Sequence, residues 1–311
     1  GSGTTPQYGS SAGTFALSWD SSTDSTGSGV EKYRIYNGGT LVQDNITGNN
    51  YSLSLTLGTR NLSVRAVDRA GNESGNSNTI QLVLANTNPG APTGVQVAGS
   101  SGPLYDNSAQ NPTISWTAPG VVGSGLAYYQ ISLDNGASVN GANITVPTTS
   151  ASRSLALKSN GDYQVCVRAV DNSGNIGPWS SPVVSVFVEN NLPGTPTNLQ
   201  VAGSTGPLYY NTAGSRAITW TNPNDGAGSG VASYEISLDN GTTAYGTITN
   251  GGNVSLPLQA SVYNIKVRAK DNAGNNSLWS SAVSVFVEND APTNPTNFKI
   301  NGSGTTPQYG S

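Results

Sequence analysis

The chain has 311 residues, only 10% of them charged, and its 13 basic and 17 acidic side chains leave a net charge of −4. That balance excludes the clustered basic footprint of a nucleic-acid binder, and no apolar run approaches the ~18 residues of a membrane span. Histidine is absent, which removes the commonest general base, Ser-His-Asp and Cys-His arrangements, and His-ligated zinc.

Residues 1–10 return as residues 302–311. A window cut from a periodic polymer ends this way, so the expectation is that neither terminus is a true end. Residues 91–105 match residues 195–209, and residues 294–300 open the same pattern again. A spacing of about 100 residues is too long for a solenoid repeat and fits a string of small domains. The chain is read as a module over 1–87 lacking its first strand, modules over 88–190 and 191–289, and the start of a further module over 290–311.

In the middle module, short β-type runs follow one another at 95–97, 113–116, 129–133, 143–146, 154–157, 163–169 and 183–188. Each alternates apolar and polar residues, with no helical period, as strands of two sheets around one core require. Asn135-Gly136, Asn240-Gly241 and, in the first module, Asn37-Gly38 supply positive-φ positions. They predict a tight hairpin that folds the third strand straight back. The segments opened by Asp68, Asp171 and Asp271, each of the form Asp-x-x-Gly-Asn, join the last two strands. An Asp there closes a turn on nearby amides, a reading preferred over catalysis. Cys166 is the single cysteine. It aligns with Ser63 and Lys266, so it is expected to face outward, and no disulfide within one copy can form.

These features together resemble bacterial fibronectin type III and related Ig-like repeat domains. The residues are a Trp in the second strand (Trp19, Trp116, Trp220), a Tyr in the third (Tyr33, Tyr129, Tyr234) and a Ser-Gly-Val/Leu lead-in before it. A Tyr-x-Val-type sixth strand and the Asp-x-x-Gly-Asn turn complete the set. The resemblance implies an all-β fold: seven-stranded β-sandwiches in a head-to-tail string. It also implies a tyrosine corner at Tyr163 and Tyr263, which the first module lacks because Arg60 stands there. Trp179 and Trp279, beside Arg168 and Arg268, suggest cation–π pairs; the first module has Asn76 instead.

Linkers 86–92, 189–196 and 288–295 each carry two prolines and should be semi-rigid. The first module's missing strand should resemble residues 295–300. An unpaired sheet edge recruits strands. Either the chain continues and the preceding copy supplies that strand covalently, or separate subunits donate it. Neighbouring copies are therefore the expected partners. Surface glycans are a second candidate, through the tyrosines at 8, 105, 209 and 210, which otherwise cap the sandwich ends.

No catalytic, cofactor-binding or metal residue is assigned. The nearest approach is Glu288-Asn289-Asp290, similar to the acidic junctions of cadherin-type repeats, where calcium with an oxygen from Asp271 is conceivable. Glu189-Asn190-Asn191 is a poorer version and Asn86-Thr87-Asn88 has no carboxylate, so calcium is not expected to organise every junction. Low charge and nine Asn-x-Ser/Thr triplets suit an extracellular, glycan-bearing surface. The reading is non-enzymatic: a structural repeat of a filament, adhesin stalk or matrix fibre at the cell surface. The alternatives are spacer modules of a secreted polysaccharide-degrading enzyme or a carbohydrate-binding adhesin.

Overall fold

Side chains two apart on a strand share a face. Val165, Val167 and Ala169, like Ile265, Val267 and Ala269, accordingly disappear into separate cores. The computed structural model describes residues 5–107, 111–120, 123–152, 161–249 and 251–298. These residues form β-strands and no helix. The chain divides into two compact units after residues 104 and 188, with 105–107 joining the second unit.

The first unit holds two sandwiches. One comprises β1 (Gln7–Gly9), β2 (Gly13–Ser18), β3 (Val30–Asn37), β4 (Thr40–Ile46), β5 (Asn50–Leu55), β6 (Gly58–Asp68) and β7 (Ile80–Leu84). Its sheets run β1-β7-β6-β3-β4 and β2-β5. The next contains β8 (Thr93–Val97), β10 (Thr113–Thr117), β11 (Leu126–Ser132), β12 (Asn140–Thr145), β13 (Ser150–Ser152), β14 (Gly161–Asp171) and β15 (Val184–Val188), while β9 (Leu104–Asp106) straddles the division. Its sheets run β13-β10-β8 and β12-β11-β14-β15.

The second unit holds β16 (Thr197–Val201), β17 (Leu208–Tyr210), β18 (Gly214–Thr221), β19 (Val231–Ser237), β20 (Gly246–Ile248), β21 (Asn253–Leu258), β22 (Ser261–Asp271) and β23 (Val283–Val287). Its sheets run β16-β18-β21 and β17-β23-β22-β19-β20. The expected run at 154–157 lies outside the described residues.

Two short strands escape the sequence pattern. Short strands β1 and β17 pair parallel to the last strand of their sandwich, and three residues are too few to show a period. The first sandwich also differs from the others: among the described residues β2 pairs only with β5. Leu17 and Trp19 are consequently half-buried, whereas their counterparts Ile114 and Trp116, or Ile218 and Trp220, are buried under a third strand.

The hairpin expectation holds in form only for the first sandwich, and there one residue later. Gly38 and Gly39 carry the positive φ, and Asn37 pairs with Thr40. Asn135-Gly136 and Asn240-Gly241 do take positive φ, but the chain does not return at once. A carboxylate competes for it. Asp239 accepts Ser237 Oγ at 2.6 Å, Thr243 N at 2.9 Å and Thr243 Oγ1 at 2.6 Å. Asp134 does the same with Ser132 and Ser138. These bonds hold both carboxyls well below the usual range, Asp134 at about 2, with the serine hydroxyl the largest cause. A depressed folded pKa contributes stability above the ordinary carboxylate pKa of ~3.9, lost as pH falls through the folded value. The melting temperature should therefore fall between about pH 4 and pH 2, and Asp239→Asn should flatten that slope in a pH series of thermal melts.

The same turns correct the expectation for Cys166. Its side chain does leave the core side of the sheet, but it is fully buried. It pairs with Ser132, and the Asp134 turn folds over its strand, Asn135 N donating to Gln164 O at 2.9 Å. Burial pushes the thiol pKa up.

Arg60 also departs from expectation. Tyr263 makes the corner, its hydroxyl donating to Gln259 O at 3.1 Å. In the first sandwich the Arg60 guanidinium reaches the equivalent place, donating to Thr56 Oγ1 at 2.8 Å and Leu57 O at 3.3 Å.

Candidate functional site at the linker-holding turns

The Asp-x-x-Gly-Asn turns close on themselves first. Asp271 Oδ1 accepts Asn275 N at 2.7 Å and its Oδ2 accepts Asn275 Nδ2 at 2.9 Å. Asp171 and Asp68 repeat this with Asn175 and Asn72. Gly71, Gly174 and Gly274 sit at φ of 90°, 85° and 95°, a conformation that glycine adopts without cost. The turn then binds two other segments. Asn272 Nδ2 donates to Ser229 O at 2.8 Å and Ala273 N to Ser229 Oγ at 3.1 Å, so the Ser-Gly-Val lead-in is the turn's partner. The closing asparagine holds the incoming linker: Asn175 Nδ2 donates to Ala85 O at 2.7 Å, and Asn275 Nδ2 to Glu189 O at 3.1 Å.

The second and third sandwiches are therefore held at one end and left from the other. In β22, Asp271 ends the strand, while Val287, the last residue of β23, pairs with Ser261 at its start. At about 3.3 Å per residue, entry and exit lie roughly 30 Å apart. Asn275→Ala would strip a buried carboxylate of a donor and release the linker carbonyl. It should cost about 1–3 kcal/mol in the second unit by denaturant titration, and an unchanged midpoint would deny the hold any energetic weight.

The same geometry separates Asp271 from Glu288-Asn289-Asp290. Asp271 is a strand's length from Glu288 and cannot join it. It meets Glu189 and Asp225 instead: one oxygen of each lies within 4.8 Å of the others. Glu189 and Asp271 are 3% and 2% exposed, and Asp225 is half-buried. Glu189 Oε2 accepts Ser229 N at 2.5 Å and Asp225 Oδ2 accepts Gly230 N at 2.7 Å. Glu189 Oε1 and Asp225 Oδ1 are buried without a hydrogen-bond partner. Burial, then the neighbouring Glu189 and Asp271 charges, push the Asp225 carboxyl up against one opposing backbone bond. Sequence reasoning missed the trio because its members lie on a linker, a loop and a strand end.

Glu288 and Asp290 are exposed and line a cavity of about 360 Å³ with Tyr209, Tyr210, Asn211 and Phe286. Tyr209, 74% exposed, stacks on Phe286 at 4.9 Å. Arg168 lies 4.4 Å over Trp179 and Arg268 4.5 Å over Trp279. In the first sandwich Arg65 lies over Tyr36 and donates to Asn76.

A three-stranded sheet facing a sheet that continues third, sixth and seventh strands, with a second-strand Trp tilted on a third-strand Tyr, is the fibronectin type III arrangement. The chain is a series of such sandwiches. No protein-family model matches it. It is 32% identical to Exoglucanase B of Cellulomonas fimi over 276 residues, covering 86% of this chain and 24% of that protein. It is 34% identical to Exoglucanase A of C. fimi over 286 residues, 86% of this chain and 30% of that protein. Chitinase A1 of Niallia circulans is 30% identical over 190 residues, 60% of this chain and 26% of that protein. The chain thus spans 24–30% of the length of these relatives. Among solved structures, the FN1-FN3 domains of chicken CNTN1 align over 91% of this chain and 99% of theirs, at 18% identity and a TM-score of 0.43. The fibronectin(III)-like modules of Clostridium thermocellum CbhA cover 62% of this chain and 94% of theirs, at 18% identity and a TM-score of 0.41.

Proposed function

We propose that the chain is a non-catalytic, extracellular structural repeat whose copies follow one another head to tail in a filament, stalk or matrix fibre. One observation carries this reading. Phe298 is 77% exposed and follows Asn297, whose φ of 56° matches Asn198 at 51° and Gly94 at 59°. In the other sandwiches the residue after that position, Leu199 or Val95, is buried as part of the covering strand. A covering segment without a sandwich and a sandwich without its cover, in one chain, suit each other across copies. Holding the linkers at Ala85 and Glu189 at one end of a sandwich, with the chain leaving from the other, supports a thread. Denaturing electrophoresis of the native material tests the covalent form: a very large species is expected, and a single band near 31.7 kDa would leave only strand donation between subunits.

A second reading is favoured by the relatives' names. As part of a longer secreted polypeptide, these sandwiches would space a polysaccharide-degrading domain from its neighbours. The chain alone should then release no sugar from cellulose or chitin, and the reading fails if the complete gene encodes no such domain. Glycan modification and adhesion remain proposals of the same kind, tested by mass spectrometry and by glycan binding to this chain.

A further inference from the structure

We propose that Glu189, Asp225 and Asp271 form a divalent-cation site of the calcium class, which ties the incoming linker to the third sandwich. The donors are hard carboxylate oxygens with no cysteine or histidine, the set that calcium takes. Calcium–oxygen bonds of 2.3–2.6 Å place opposite ligands roughly 4.6–5.2 Å apart, so oxygens within 4.8 Å of one another lie within the span that one ion bridges. Two oxygens of these carboxylates, Glu189 Oε1 and Asp225 Oδ1, are buried and partnerless. A carboxylate as enclosed as Glu189 needs a counter-charge or hydrogen bonds, and no ion pair among the described residues includes any of the three.

Room for the carboxylates is built in. Gly228 lies so close to Glu189 Oε1 and Asp225 that a Cβ there would collide with both. The preceding junction is the apolar version of the same place. By sequence, Ala85 stands for Glu189, and a Cβ on Gly123, the counterpart of Gly228, would meet the Ala85 methyl at 3.3 Å. Asp171 alone remains there, satisfied by its turn. The two junctions solve one packing problem differently, and only one leaves charge uncompensated.

The first sandwich carries half of a further site. Asp24 and Asp68 stand at the positions of Asp225 and Asp271, and Asp24 Oδ2 accepts Gly29 N at 2.9 Å as Asp225 does Gly230 N. The linker glutamate that would complete it is Glu288. This part rests on the head-to-tail reading.

The test is calorimetric titration of the whole chain with calcium chloride, beside thermal melts with and without a chelator. About one equivalent should bind, with a melting transition raised by the ion. The double variant Glu189→Ala/Asp225→Ala removes two of the three carboxylates and places at 189 the residue type that Ala85 supplies at the preceding junction. It should lose affinity at least about 100-fold and melt alike with and without calcium. Glu288→Ala should bind as the unaltered chain does. Absence of calcium binding by the unaltered chain, or retained binding by the double variant, overturns the site. Two fused copies should bind about three equivalents; two instead of three would refute the copy-to-copy site and the head-to-tail reading while leaving the Glu189 site standing.

Discussion

Trp220→Ala should be the most damaging single truncation in the third sandwich, costing about 3–5 kcal/mol, whereas Trp19→Ala should cost no more than about half of that. Trp220 is 6% exposed and tilted against Tyr234 at 5.2 Å. It belongs to the core cluster that Leu199 and Val201 of β16 complete. Removing the indole there leaves a cavity that neighbours cannot fill. Trp19 packs on Tyr33 in the same manner, at 5.4 Å, but its strand has a free edge among the described residues and its ring is already part-solvated. Urea unfolding followed by far-ultraviolet circular dichroism would resolve the two costs. Equal losses at both positions would mean that the first sandwich has no uncovered core.

The second large effect depends on copy number. In a single copy, Phe298→Asp should change stability by less than about 0.5 kcal/mol, because the ring is exposed. In two fused copies the same change in the first copy should destabilise the second copy's opening sandwich by about 2–4 kcal/mol. A charge would then have to enter the core position that Leu199 and Val95 fill elsewhere. Calorimetry should show one transition moving and the others staying. If no transition moves in the fused chain, residues 294–300 do not serve as the covering strand.

Much of the sandwich was readable because its signals are local. Alternation in the long strands, the Trp–Tyr pair and the Asp-x-x-Gly-Asn turns each sit within a few residues and recur. What was missed depends on partners distant in sequence. Nothing around Asn175 or Asn275 announces a bond to Ala85 O or Glu189 O, since any backbone carbonyl would serve. The guanidinium of Arg60 replaces a phenol by reaching the same carbonyl region, a substitution of function without likeness of residue. Ser132 and Asp134 read as strand end and turn, yet they seal Cys166 from outside the core. Asp271 was paired with Glu288, a strand's length away, because the antiparallel return of β23 beside β22 is not legible along the linker.

The sealed thiol of Cys166 has a practical corollary. A chain with one sulfhydryl, silent while its sandwich is intact, carries its own tell-tale for rupture. Under shear or stretching, an alkylating dye would mark a copy only when its middle sandwich had come open, one label for each such opening.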